Sequence, residues 1–167
     1  AMDWDHGINT IFQKKVDFQG STFEGTADFS SAHFQEYADF SEVQFNSSAA
    51  FTQALIDNGA TFYKTTFTNS AAFPLANLAG GIDFSEAEFG NNADFSTSHF
   101  IGEYDTLFLN AEFTGYILFF GARFDAPALF QNAIFIRRLP EDSVLFTDTA
   151  FTKLDLSGAQ FENGHLD

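Results

Sequence analysis

Cysteine is absent from this sequence, so any metal or acid–base centre must be assembled from four histidines and 23 Asp and Glu residues. The histidines are His6, His33, His99 and His165. His33 and His99 stand in register on a 22-residue spacing, three periods apart. On stacked strands that separation is about 14 Å, too far for one metal ion. The chain carries no HExxH, GxSxG or phosphate-loop pattern. The expectation is therefore a protein that is not an enzyme and has neither cofactor nor metal.

The carboxylates are more orderly. Asp17, Asp39 and Asp83 fall at multiples of 22, and so do Asp28 and Asp94. Stacked in register they make acidic columns on two outer sides, with Glu24, Glu36, Glu42, Glu86, Glu88, Glu103 and Glu112 adding to the field. The plain explanation is a repeat that prefers Asp at one solvated position. The functional one is a ladder of negative charge for a basic partner. Seven Lys and Arg against 23 acids give a formal charge of −16. That argues against direct phosphate-neutralising contact with nucleic acid and against docking on an anionic membrane.

In the second half the same outer positions turn apolar. Leu107 and Leu129 replace Asp in one column, and Leu118 replaces it in another. Ile134 and Leu145 continue the trend, with Tyr104, Tyr116, Phe120 and Ile136 near them in sequence. Exposed, such a patch marks a partner site. Its candidate members are Leu107, Leu118, Leu129, Tyr116 and Phe120. The alternative is that a local loop folds over it.

Both patterns ride on a larger one. Phenylalanine, 25 residues of 167, recurs at alternating steps of five and six: 18, 23, 29, 34, 40, 45, 51. Ile56 and Leu78 fill two of its places. Two residues before each large one sits a small or β-branched one, such as Ala27, Ala38, Val43, Ala49, Ala60 and Ile82. This fits neither the 3.6-residue helical period nor sustained strand alternation. It does fit short extended segments separated by corners, stacked coil on coil. Each 22-residue coil then has four sides. Seven coils at strand spacing make a rod about 30–35 Å long.

The runs Ala27–Ser31, Ala38–Glu42 and Ala93–Thr97, written Ala-Asp-Phe-Ser-X, resemble the pentapeptide-repeat family in its Phe-rich branch. The resemblance covers about 16–166. It implies an all-β fold, the right-handed quadrilateral parallel β-helix. The extra residue in alternate steps should swell alternate corners. Some members of that family resemble duplex DNA in width and charge, and bind type II topoisomerases, including gyrase. Members also dimerise through their C-terminal ends.

Residues 3–15, with Trp4, Ile8, Ile11 and Phe12, are expected to cap the first coil. Leu166 leaves little to cover the last, which points to a truncated chain or a homodimer through that end. The rhythm breaks near 101–107 and again near 136–145, where Arg137, Arg138 and Pro140 suggest an excursion loop. No stretch reaches the ~20 apolar residues of a spanning helix, so a soluble domain without membrane insertion is expected. The absence of cysteine is as compatible with the cytoplasm as with any other compartment. The function expected is a non-enzymatic protein-interaction or scaffold module with an unidentified protein partner. The alternative that the resemblance supplies is a DNA-mimicking inhibitor or protector of a type II topoisomerase.

Overall fold

A computed structural model describes residues 10–136 and 144–162. Every regular element among them is a short parallel strand, and the strands stack into four sheets, three of seven strands and one of six. Each sheet is one face of a quadrilateral rod. Face one runs through Ile11–Phe12, His33–Phe34, Leu55–Ile56, Asn77–Ala79, His99–Ile101, Arg123–Phe124 and Ala150–Phe151. Face two holds Val16–Asp17, Ala38–Asp39, Ala60–Thr61, Ile82–Asp83, Thr106–Leu107, Ala128–Leu129 and Leu154–Asp155. Face three holds Thr22–Phe23, Gln44–Phe45, Thr66–Phe67, Glu88–Phe89, Glu112–Thr114, Ile134–Ile136 and Gln160–Glu162. Face four holds Ala27–Asp28, Ala49–Ala50, Ala71–Ala72, Ala93–Asp94, Ile117–Leu118 and Val144–Leu145. The chain visits the faces in that order once per coil, making about seven coils, so faces two and four lie on opposite sides.

The alternation of five and six has a physical origin in two kinds of side. On faces one and three the second strand residue turns inward, as Phe34 and Phe45 do. On faces two and four the first turns inward, as Ala38 and Ala49 do, and the next Phe follows it into the core. After faces two and four the chain makes a tight corner. Ala32 N–H donates to Phe29 C=O at 3.0 Å and Val43 N–H to Phe40 C=O at 3.3 Å. The third residue of each such turn has positive φ, between 55° at Lys64 and 72° at Gly158. That is the type II turn, and in one copy Pro74 occupies the position where its fixed φ suits it. The extra residue falls at the other two corners, which are the swollen ones.

Inside, the phenylalanines stack along the rod at the coil spacing. Phe40, Phe62 and Phe84 lie 4.9 and 4.8 Å apart, with planes 2° and 11° from parallel. The columns from opposite faces meet edge to face, Phe51 on Phe62 at 5.4 Å and 89° and Phe73 on Phe84 at 5.4 Å and 86°. Rings long enough to reach across the rod therefore fill it, with both favoured aromatic geometries used at once. Buried hydroxyls add a second bond to some of the turn carbonyls, Thr65 donating to Phe40 C=O at 2.6 Å and Ser98 to Phe73 C=O at 2.5 Å.

Ile11 and Phe12, expected within an N-terminal cap, form the first rung of face one, and the Phe12 ring stacks on Phe34 at 4.6 Å. Trp4 and Ile8 lie outside the described residues, as do the Arg137–Arg138 and Pro140 excursion and Leu166. Among the described residues no helix is long and apolar enough to cross a membrane.

Candidate interaction surfaces

The aspartates that precede phenylalanine do local work first. Asp17 Oδ1 accepts the Gln19 N–H at 3.0 Å. Asp28 does the same for Ser30, Asp39 for Ser41, Asp83 for Ser85 and Asp94 for Ser96, at 2.8–3.0 Å. Where the repeat substitutes Thr61, its hydroxyl takes the Tyr63 N–H at 3.1 Å. These are Asx and ST turns that start the tight corners wherever Asp or Thr precedes the phenylalanine. The repeat's taste for Asp is thus served by its own backbone, which takes one carboxylate oxygen and leaves the other to solvent.

Asp155 shows the effect most strongly. It accepts the Ser157 hydroxyl and N–H and the Gln131 amide, and these bonds hold its carboxyl at about 2 against the usual 3.8. Asp28 is lowered too, first by the Ser30 side chain. A depressed carboxylate adds stability above its unfolded pKa, and that stability is lost as pH falls through the folded value. The urea midpoint should therefore fall between about pH 4 and pH 2. Asp155→Asn keeps an oxygen for the turn, and its midpoint should fall less over the same interval.

The acidic columns are shorter than the spacing suggests. On face two the outward ladder reads Asp17, Asp39, Thr61, Asp83, Leu107, Leu129, Asp155. Its carboxylates are close enough to act on neighbours: Tyr37 is pushed above its usual phenol range, first by burial and then by Asp39 and Asp83. On face four, Ala50 and Ala72 separate Asp28 from Asp94, so no acidic column forms there.

The five apolar candidates divide between opposite sides of the rod. Leu107 and Leu129 are neighbours on face two. Leu109 and Pro127, half-buried, flank them; sequence reasoning passed over both, although Leu109 lies two residues beyond Leu107 and so shares its outer side. Tyr116, Leu118 and Phe120 belong to face four. They alternate with Ile117 and Phe119, which are buried at 1% and 0% exposure. Their carbonyls accept the N–H groups of Ala93, Phe95 and Thr97 on the coil below, and Leu145 pairs with Leu118 on the coil above. Tyr116 and Leu118 are half-buried and Phe120 is 48% exposed. The first interruption sits on the corner between faces one and two, so it does not cover this row. The second lies outside the described residues.

Histidines are paired on face one, His33 Nε2 with Asp57 at 2.7 Å and His99 Nε2 with Asp125 at 3.0 Å. The His99 bond, followed by Arg123 Nε at 2.8 Å, lowers the Asp125 carboxyl below its usual range. Among the described residues no group of three or more His, Asp or Glu could hold a metal ion.

A family model described as pentapeptide repeats, nine copies, matches residues 8–55 and, overlapping them, 29–74. The same rungs continue in register to Gln160–Glu162. Residues 8–74 match pentapeptide repeats, and the described solenoid is consistent with the architecture of that family. The right-handed β-helix of that family is the fold described above. No curated protein matches this pentapeptide-repeat chain.

Proposed function

We propose that this pentapeptide-repeat solenoid is a non-enzymatic scaffold that docks a protein partner on face four at its fifth and sixth coils. The observation that carries this reading is the row Tyr116, Leu118 and Phe120, extended by Leu145, on a face whose earlier rungs present Asp28, Ala50, Ala72 and Asp94. Charged and small side chains suffice for the fold at this position. Leu118 and Leu145 in that place, with Tyr116 and Phe120 beside Leu118, therefore serve something other than folding.

Leu118→Asp tests it. Asp94 already occupies the equivalent rung with its Asx turn intact, so the variant should fold with an unchanged melting curve. Losing one buried leucine contact is worth ~1.5–3 kcal/mol, a loss of roughly 10- to 100-fold in affinity for a partner captured by the wild-type protein. Leu129→Asp, on the opposite side, should leave that affinity unchanged. Equal binding by Leu118→Asp and wild type removes the reading.

The acid ladder of face two favours a second reading, a DNA mimic that inhibits or protects a type II topoisomerase. Charge would drive that contact, so it should weaken steeply as salt rises, and Asp39→Asn and Asp83→Asn should weaken it at low salt. The face-four contact should survive the same salt.

A further inference from the structure

The corner between faces one and two changes character along the rod. In the third and fourth coils it is built from Gly59, Gly80 and Gly81, all with positive φ between 81° and 85°. These corners are pressed together: a Cβ on Gly80 would lie 2.4 Å from Gly59 N. In the fifth coil the same corner is two residues longer, running from Phe100 to Phe108, and raises Tyr104 to 70% exposure. Gly81 is what lets it overhang, because a Cβ there would sit 3.0 Å from Tyr104 Cβ. A low glycine step beside a raised aromatic corner leaves a groove of about 500 Å³, lined by Gly81, Ile82 and Asp83 on one coil and Glu103, Tyr104, Asp105 and Leu107 on the next.

The lining is of two kinds. Tyr104 offers a ring face and Leu107 an aliphatic surface. Asp83, Glu103 and Asp105 stand around them. Asp83 commits Oδ1 to the Ser85 N–H at 2.8 Å. Lys64 pairs with Glu86 at 3.4 Å and Arg123 with Asp125 at 2.8 Å. Lys15 lies over Tyr37 at 5.7 Å. Among the described residues no cation pairs with Asp83, Glu103 or Asp105. A neutral apolar ligand would leave three carboxylates partly desolvated, and an anion would be repelled by them. A small hydrated metal would gain nothing from the ring and leucine, and no metal-holding group is present among the described residues. An alkyl stem with a cationic head satisfies both kinds of surface, the stem against Tyr104 and Leu107 and the head among the carboxylates.

We propose that this groove receives an arginine or lysine side chain from a basic segment of a protein partner. The proposal rests on the reading that the solenoid docks a protein, and it supplies a second contact on a different side of the rod. A second copy of this chain is a poor occupant, since its charge is also −16.

The test needs no identified partner. The probe is acetyl-Ala-Arg-Ala-amide at millimolar concentration, followed by backbone amide shifts of the whole chain. Saturable shifts should concentrate at Gly81, Tyr104 and Leu107. They should vanish when arginine is replaced by neutral citrulline. Tyr104→Ser leaves the charge intact at an exposed position and should weaken binding about three- to fivefold. Shifts spread over all the acidic faces, equal binding of the citrulline peptide, an unaffected Tyr104→Ser, or no saturable binding would each overturn the proposal. The probe does not touch Leu118, so failure here leaves the face-four experiment standing. Failure of Leu118→Asp to alter partner binding, with the groove still occupied by the probe, would remove the face-four contact alone.

Discussion

Phe62→Ala will lower the unfolding free energy by about 3–5 kcal/mol, the range for emptying a fully buried aromatic site. Phe62 is 0% exposed and lies mid-rod. It stacks on Phe40 at 4.9 Å and Phe84 at 4.8 Å, and it receives the edges of Phe51 at 5.4 Å and Phe73 at 5.5 Å. Those neighbours are fixed by their own coils and cannot collapse into the space. The loss also reaches both adjacent coil interfaces, and a solenoid is held together only by such neighbour contacts. Phe62→Ala should therefore broaden the urea transition, as the two ends of the rod begin to unfold separately. Phe18→Ala, in the half-buried first coil, should cost less and leave the transition sharp. Equal losses at the two positions would mean that the rod unfolds as one unit whatever coil is damaged.

The stacking was legible because it obeys one rule in one dimension. Once residues 22 apart are placed on each other, Phe18, Phe40, Phe62 and Phe84 must share a column, and the pairing Val16 on Ala38 on Ala60 follows. The same arithmetic separates Leu107 from Leu118, since the half-period of 11 puts them on opposite faces. What the sequence hides is contact that depends on how far a corner protrudes. Tyr104 and Gly81 are 23 residues apart and would pass as near neighbours in any coil. Only the longer fifth corner and the missing Cβ turn that proximity into a groove. The carboxylates mislead in another way. Asp39 is outward-facing by alternation, yet one of its oxygens is bound to its own chain two residues on, at Ser41. Spacing reveals the column but not that each member is already partly satisfied.

That glycine step also sets the second large effect. Gly80→Ala should destabilise the protein by about 3–5 kcal/mol, combining backbone strain with overpacking against atoms that cannot rotate away. Gly80 has φ of 81°, and its Cβ would fall 2.4 Å from Gly59 N, 2.6 Å from Asn58 C and 2.9 Å from Asn58 Cα. All three are backbone, so relief requires two coils to separate at that corner. Gly20→Ala separates the two causes. Its φ is 67° and nothing lies within 4 Å of the added carbon. Elsewhere among the described residues, ten non-glycine residues hold φ between 55° and 59°. Gly20→Ala should thus cost only about 1–2 kcal/mol, the left-handed penalty alone. The comparison is made by urea denaturation of the two variants beside the wild type. If Gly80→Ala is no worse than Gly20→Ala, the third and fourth coils have room between them, and the depth of the groove beside Tyr104 does not depend on close backbone contact. If it is much worse, the close approach of Gly59 and Gly80 is the floor on which the overhanging fifth corner is built.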